Sequence, residues 1–352
     1  MKYLLLLTLL VVPFVNNAQT EEYILNDTLI QEVSLFGKDS PLHFTLKSDF
    51  KKFKREKFKD KYQNAQLIYK INDSTEVNKD VRIKARGEFR RKQCSFPPIR
   101  LNWKKTETVK QEFDNYYKLK MVTHCSGSEY YEQYILKEFL CYKLYNILSD
   151  KSFNVRLIQI KYIDTGKKKK NEFTTWSFFI EDFGMMAARN NAHKLKNEKL
   201  GIRNVEEQNM MEFSMFMFMI GNADWSVTGL HNLKLLKSKD FQQTKAWAVP
   251  YDFDYTGMID AAYAVPDEER LGIKDITERV YLGPCKEEGE YKPVIEKFKN
   301  HKNEFYDKIN NFEYISEQSK KEMIKYLDEF YSIIDSENFY SNYLKSHCRK
   351  VD

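Results

Sequence analysis

The sequence lacks the patterns that mark several common kinds of functional site. It has five cysteines but no Cys-x-x-Cys pair, which argues against a structural zinc site or a redox pair. Its histidines show neither His-x-x-x-His nor His-Glu-x-x-His spacing for zinc, and no Gly-x-Ser-x-Gly elbow indicates a serine hydrolase. A strong excess of one charge sign is also missing, because 57 basic and 51 acidic residues leave a formal net charge of only +6. The sequence therefore gives weak support for nucleic-acid binding, and we predict none.

Long apolar runs are scarce, and the exception lies at the N-terminus. Lys2 precedes the apolar run Tyr3–Val15, and Ala18 offers a small residue for cleavage. A membrane anchor is the alternative, but a run of about thirteen residues is shorter than the roughly twenty of a spanning helix. No later segment is apolar enough to span. We therefore predict a cleaved signal peptide over residues 1–18, a secreted or periplasmic location and no membrane span after cleavage.

Export would place the cysteines in an oxidising compartment. One disulfide is plausible there, but its partners cannot be deduced from the sequence, and free thiols are an equal alternative.

Alternation of apolar and polar residues predicts strands in the first half of the chain. These strands are Leu42–Leu46, Gln66–Ile71, Val81–Arg86, Pro98–Trp103, Tyr117–Val122, Asn154–Ile163 and Phe173–Ile180. A helix is predicted at about Tyr130–Leu148. The basic run over residues 51–61 is interpreted as a solvated turn that packs Phe53 and Phe58 inward.

From about Val205 the pattern becomes helical. The segment Met210–Ile220 is almost wholly apolar, which is typical of a buried helix. A later helix has an apolar stripe at i, i+4, i+7 and i+11, with Ser316 as its N-cap. The stripe consists of Met323, Leu327, Phe330 and Ile334. Strands followed by helices indicate an α+β fold, with a cleft between the halves near Glu181.

An acidic residue, an amide residue and then a pair of acidic residues follow the buried helix. Asp224 is placed to orient or deprotonate an acceptor hydroxyl, and the amide oxygen of Asn232 suits a hard cation. Asp252 follows the predicted strand Ala246–Val249, and Asp254 shares its face in an extended segment. These groups make a credible hard-metal site. The alternative is that Asp224 caps a turn and the other two carboxylates lie in a solvated one.

The block Gly221-Asn222-Ala223-Asp224 … Asn232 … Pro250-Tyr251-Asp252-Phe253-Asp254 resembles the spore-coat CotH kinase-like family. It is more distantly similar to HipA-like kinases. Arg86-Gly87 looks like the family's Arg-Gly turn, which replaces the glycine-rich loop over the ATP phosphates. The usual serine after the turn is absent here, and Glu88 would lie near the phosphates, although the basic residues 90–92 are close.

This resemblance covers residues 40–260 and implies an atypical protein-kinase-like bilobal fold that uses ATP with Mg²⁺ or Mn²⁺. It implies Asp224 as the catalytic acid/base, Asn232 and Asp252 as metal ligands, and Asp254 as a possible stand-in for Asp252. Arg86 would contact the phosphates.

Kinase topology also directs attention to the strand before the long helix. Lys120 is our choice of phosphate-binding lysine, with a carboxylate partner from Glu132 or Glu138 in the helix. The alternative is a solvent-facing lysine. Glu181 would fall where the hinge contacts adenine, although a plain hinge residue is an equal alternative. His231 is expected to orient the Asp224 loop.

The predicted domain organisation follows from these assignments. After the signal peptide come a leader with short strands (residues 19–75) and a strand-rich nucleotide-binding lobe (76–181). A helical lobe with the catalytic loop and metal site (182–289) and a C-terminal helical extension (290–352) complete the chain.

The resulting prediction is an exported kinase that transfers phosphate from ATP to a protein or cell-envelope acceptor. One alternative is a catalytically inactive envelope-binding or assembly module. Another is a nucleotidylyl (AMP) transferase on the same scaffold.

Overall fold

The computed structural model describes residues 35–72, 75–104, 113, 116–166, 171–196 and 200–350. The predicted signal peptide lies outside the described residues, as do residues 167–170 of the lysine-rich turn. In the part of the chain that is described, no helix has the length and apolar character needed to cross a membrane.

Seven strands form a closed barrel in the first half of the chain. They are β1 (Leu42–Ser48), β2 (Gln63–Asn72), β3 (Thr75–Ala85), β4 (Ile99–Asn102), β5 (Lys118–Val122), β6 (Val155–Asp164) and β7 (Asn171–Ile180). Their order is β1-β2-β3-β4-β5-β7-β6, and β1 closes the barrel by pairing in parallel with β6. Alternate residues such as Leu46, Leu67 and Ile83 point inward and are fully buried, so side chains fill the interior.

The alternation read from the sequence located all seven of these strands, but closure of the sheet was not predicted. The barrel also takes β1 and β2 from residues 19–75, which the sequence analysis described as a leader with short strands, separate from the strand-rich lobe. A short helix, α1 (Phe50–Arg55), follows β1 and buries Phe53. The expectation for Phe58 was wrong, because 57% of its surface is exposed.

The second half is mainly helical, which makes the chain an α+β protein with strands first and helices later. Its helices, with two from the first half, are α2 (Phe89–Gln93), α3 (Glu129–Leu148), α4 (Phe183–Arg189), α5 (Glu207–Ile220), α6 (Glu268–Leu271), α7 (Lys292–Asn300), α8 (Lys302–Asn310), α9 (Glu317–Ile334) and α10 (Lys345–His347). A small antiparallel sheet has the order β10 (Ala246–Pro250), β9 (Leu233–Ser238), β8 (Ala192–Leu195).

Two helices in this half match their predicted patterns. The apolar stripe of α9 is buried, and Ser316 caps the helix by accepting a hydrogen bond from the Ser319 amide. Helix α5 is buried along nearly its whole length and ends at Gly221 with φ +67°. A Cβ at Gly221 would lie 2.0 Å from Tyr326 Oη, so only glycine allows the chain to turn here into the Asp224 loop.

Two disulfides are present, one more than the sequence indicated. Cys94, the C-cap of α2, is bonded to Cys125 just beyond β5, and Cys285 is bonded to Cys348 after α10. Cys141 is a buried free thiol. Each disulfide joins segments within one half of the molecule.

Candidate functional site

The ends of β9 and β10 bring two of the predicted segments side by side. Leu233 pairs with Pro250, and the next pair along is closed by the Tyr251 amide, which donates to the Asn232 carbonyl at 3.0 Å. Asn232 and Asp252 therefore lie at the same end of this strand pair, although they are twenty positions apart in the sequence.

Three cationic side chains converge on the ring of Tyr251. Arg86, just after β3, donates from Nη2 to Tyr251 Oη at 2.8 Å. The Nζ atoms of Lys120 on β5 and Lys234 on β9 lie 5.1 and 4.9 Å from the ring centroid. The barrel and the small sheet thus supply cations to the same place, and the tyrosine face holds the two ammonium groups by cation–π attraction.

These cations repel one another and are only partly solvated. Burial, with Arg86 and Lys234 nearby, lowers the pKa of Lys120 to about 8. Burial also lowers the pKa of Lys234, and Arg86 adds to that effect against the attraction of Asp252. Within the described residues, none of the three cations has an ion pair with a carboxylate. Three half-buried cations beside the single carboxylate of Asp252 leave an excess of positive charge, which favours binding of an anion.

Asp252 lies beside this group in an unusual backbone conformation. Its φ is +68°, and its amide donates to Tyr142 Oη at 2.9 Å. Burial and the neighbouring Asp254 raise the pKa of the Asp252 carboxyl, whereas Arg90, Arg86 and Lys234 oppose the rise. The hydrogen bonds and ion pairs of the described residues give its carboxylate no partner. It is therefore a free carboxylate facing a cationic pocket.

Asp224 is held by its own loop. Asn232 Nδ2 donates to the Asp224 carbonyl at 2.6 Å and to Oδ2 at 3.0 Å, and His231 Nε2 lies 3.0 Å from Oδ1. The amide of Asp224 donates to Asn222 Oδ1 at 2.9 Å. His231 therefore lies where the sequence placed it, against the carboxylate. The Asn232 side chain, whose nitrogen faces Asp224, leaves its amide oxygen for another partner.

A cavity of about 320 Å³ opens at Asp224. Its walls are of mixed character and include Tyr255, Val265 and Ile273 together with the charged side chains of Asp267 and Arg270. The Asp224 side chain is 43% exposed, so a group entering the cavity can reach its carboxylate. A larger cavity, about 770 Å³, lies beside α1 and β2, contains none of the predicted site residues and has charges of mixed sign.

Asp254, predicted as a metal ligand and possible stand-in for Asp252, forms an ion pair with a protein side chain. Arg90 on α2 donates from Nε to Asp254 Oδ2 at 2.7 Å and from Nη2 to Glu138 on α3. Against the effect of burial, the two carboxylates hold the pKa of Arg90 well above its usual value. Burial raises the pKa of Glu138, and the Arg90 guanidinium opposes that rise. Glu138 therefore pairs with Arg90 and not with Lys120.

Glu181 lies between β7 and α4, at the passage from the barrel to the helical half. Its buried carboxylate accepts a hydrogen bond from the backbone amide of Asn154 at 3.0 Å and forms an ion pair with Arg189 at 3.0 Å. The side chain therefore ties α4 to the end of the barrel, and it has no free oxygen comparable with that of Asp252.

Sequence reasoning missed Lys234, Arg90 and the organising ring of Tyr251. Lys234 lies two residues beyond Asn232 in β9, but the burial pattern of this strand does not alternate regularly, so the signal for it in the sequence was weak. Arg90 carries no comparable signal, because its partners are distant in sequence.

No family model matches the chain. No curated protein matches it either. Among solved structures, it is similar to a Helicobacter pylori proinflammatory kinase, CtkA, with a TM-score of 0.36 and 13% identity. The match covers 68% of this chain and 88% of that one. A likeness this weak does not assign the family, so membership of the CotH-type kinases stays a prediction.

Proposed function

We propose that this chain is an exported, metal-dependent phosphotransferase that moves a phosphate from ATP to a hydroxyl of a protein or cell-envelope acceptor. The observation that carries the proposal is the cluster of Arg86, Lys120 and Lys234, three cations without carboxylate partners, directly beside the free carboxylate of Asp252. Phosphoryl transfer needs this combination, because the phosphates require cations and the metal requires an oxygen ligand.

The residues present fit Mg²⁺ or Mn²⁺. Among the described residues no group of three or more His, Cys, Asp or Glu side chains forms a metal cage. Magnesium seldom needs one, since it is usually held by one or two protein groups together with water and phosphate oxygens. Asp252 and the amide oxygen of Asn232 would supply those two groups, and a bound cation would neutralise charge on the phosphates. We assign Asp254 to the ion pairs with Arg90, not to the metal.

The remaining roles follow from position. Arg86, Lys120 and Lys234 would bind the phosphates, and the acceptor would enter the cavity at Asp224. Asp224 would orient the acceptor hydroxyl and take its proton as a new oxygen–phosphorus bond forms and the bond to ADP breaks. His231 and Asn232 hold the carboxylate in place for that step.

Export is part of the proposal. Two disulfides within the described residues suit an oxidising compartment, because such bonds seldom persist in the cytosol. They support a secreted or periplasmic location together with the N-terminal sequence.

A nucleotide-binding module without catalytic activity is the second candidate. It is favoured by the engagement of Asp254 with Arg90, which leaves Asp252 as the free carboxylate at the metal position.

Mass spectrometry of the products separates these possibilities. We expect the purified chain, incubated with ATP, Mn²⁺ and a panel of envelope proteins, to add a phosphate-sized increment to an acceptor or to itself. Asp224→Asn should abolish the increment while leaving ATP binding intact, because the variant keeps the cation cluster. An AMP-sized increment would show that the chain is a nucleotidylyl transferase instead. Binding of ATP with no covalent product on any protein would favour the binding module.

A further inference from the structure

The C-terminal end of the described chain returns to the Asp224 loop. After α10, Cys348 is bonded to Cys285, and the next residue is fixed on both sides by backbone hydrogen bonds. The Arg349 amide donates to the Gly283 carbonyl at 2.8 Å, and the Cys285 amide donates to the Arg349 carbonyl at 3.0 Å. The disulfide and these bonds anchor Arg349 at a defined place.

The Arg349 side chain contacts the residue that follows Asp224. Its Nη2 donates to the Trp225 carbonyl at 3.2 Å, and its guanidinium carbon lies 4.4 Å from the Trp225 ring centroid. Trp225 is itself buried, with its ring against Phe213. A cation stacked on a fixed indole and bonded to the backbone beside it restrains the loop at this point.

The surroundings of the Arg349 guanidinium disfavour its positive charge. Burial and the nearby Arg270 lower the pKa of Arg349 to about 10. No acidic side chain in the described ranges forms an ion pair with it. The indole face and the Trp225 carbonyl are thus what compensates the guanidinium, so the interaction is directed at the loop.

The other side of Asp224 has a similar restraint. Arg270 donates from Nη2 to the Ala223 carbonyl at 3.3 Å while its Nε is paired with Asp267 at 2.7 Å. The carbonyls before and after Asp224 are therefore each bonded to an arginine, one from α6 and one from the C-terminal segment.

We propose that Arg349, anchored by the Cys285–Cys348 disulfide, is a positioning residue that sets the orientation of Asp224. This inference rests on the proposed function, in which Asp224 receives the acceptor proton. It gives the C-terminal segment a role in catalysis, because small displacements of a catalytic group are costly to the reaction rate.

The test compares Arg349→Gln with the double variant Cys285→Ser/Cys348→Ser. We expect each to lower kcat for phosphate transfer by about ten-fold or more, with KM for ATP unchanged, because the cation cluster is untouched. Adding Arg349→Gln to the cysteine variant should cause little further loss, since the disulfide acts through Arg349. Lys302→Gln is the matched control: it removes a similar cation–π contact, 4.5 Å from the Tyr331 ring, between two helices, α8 and α9, that do not include the loop.

Hydrogen exchange of residues 221–232 and tryptophan emission give a readout that does not need activity. Both should change in Arg349→Gln and remain as in the wild type in Lys302→Gln. If the wild-type chain transfers no phosphate, the proposed function fails, and these readouts still decide whether Arg349 restrains the loop. Unchanged exchange and unchanged kcat in Arg349→Gln, or equal losses in kcat and in ATP affinity, would overturn the inference.

Discussion

At the scale of single residues, the two side chains proposed to hold the cation share an unusual backbone conformation. Asn232 has φ +51° and Asp252 has φ +68°. Left-handed backbone is tolerated by asparagine and aspartate but is uncommon, and it persists where the surroundings fix it. The Tyr251–Asn232 backbone bond and the Tyr142 hydroxyl provide that fixation here. Asn232 then contacts Asp224 through its side-chain nitrogen, whereas the Asp252 carboxylate interacts with Arg86 and Lys234 of the cation cluster.

The lowered pKa of Lys120 leads to a prediction about pH. Because the pKa of Lys120 is about 8 in the unliganded protein, raising the pH through that value removes a charge from the phosphate site. We expect the affinity for ATP, measured by calorimetry between pH 7 and about 9.5, to fall over this range. In Lys120→Arg the fall should be much smaller, since a guanidinium stays charged. Identical pH profiles for the two proteins would contradict the assignment.

Lys120→Met supplies a control for that interpretation. The folded-state pKa of Lys120 lies below its unfolded value, so the charged form opposes folding at neutral pH. The neutral variant should therefore melt at a higher temperature without ligand and gain less from ATP than the wild type does.

The sequence identifies some of these residues and not others, for a physical reason. Asp224, Asn232 and Asp252 fall in short segments whose residue types and spacing suggest a metal site. Lys234 and Arg90 act through partners supplied by folding: the ring of Tyr251 and the carboxylates of Glu138 and Asp254. Such pairings depend on tertiary structure, which spacing along the chain does not encode.

At the scale of elements, the five-residue helix α2 connects the two halves. Arg90 on its buried side joins Glu138 of α3 to Asp254, while Cys94 at its end is bonded to Cys125 beyond β5. The helix is too short to be stable alone, so these partners keep it in place. Through Arg90, it also fixes Asp254 beside the free Asp252.

Replacing Arg90 should be strongly destabilising. Arg90→Met leaves two buried carboxyl groups without a counter-charge, which typically costs about 3–5 kcal/mol of unfolding free energy. The pKa of Glu138, already raised by burial, should rise further. A folded-state pKa above the unfolded value of about 4.3 gives stability that is lost as pH rises through the window between them. Thermal melts should therefore show the variant closer to the wild type at pH 5 than at pH 8.

Arg91→Met is the control from the same helix. Arg91 lies 5.9 Å from the Phe58 ring and has no ion pair in the described part of the chain. Arg91→Met should lower the free energy of unfolding by much less than Arg90→Met does, and the loss should not show a comparable dependence on pH. Equal destabilisation by the two substitutions would show that α2 and not its ion pairs is the source of the effect.

Elements were predicted unevenly from the sequence. The barrel strands alternate clearly because one face packs on the interior, and α9 shows its stripe for the same reason. Strand β9 was not recognised: its residues Leu233, Leu235 and Leu236 are all buried, which breaks simple alternation. The number of disulfides could not be predicted, since pairing depends on which segments the fold brings together.

At the scale of the whole molecule, there are two apolar cores, and the candidate site takes residues from the halves that contain them. One fills the barrel, and the other runs from α3 through α5 to the C-terminal helices. Arg86 and Lys120 come from the barrel, whereas Lys234, Asp252 and Asp224 come from the helical half. Closure of the barrel joins β1 to β6 in parallel, and no local pattern predicts a pairing of that range. The α+β class could be predicted from the sequence, but the way in which the two halves pack together could be seen only in the structure.

The most direct test of the account is calorimetric titration of the purified chain with ATP in the presence and absence of Mn²⁺, for the wild type and for Asp252→Asn. We predict metal-dependent binding by the wild type, with an affinity at least about ten-fold weaker in the variant, which loses the charged ligand but little volume. The variant should melt at or above the wild-type temperature, because burial disfavours the charged carboxylate. A wild-type chain that is folded and binds no nucleotide, with or without metal, would contradict the account.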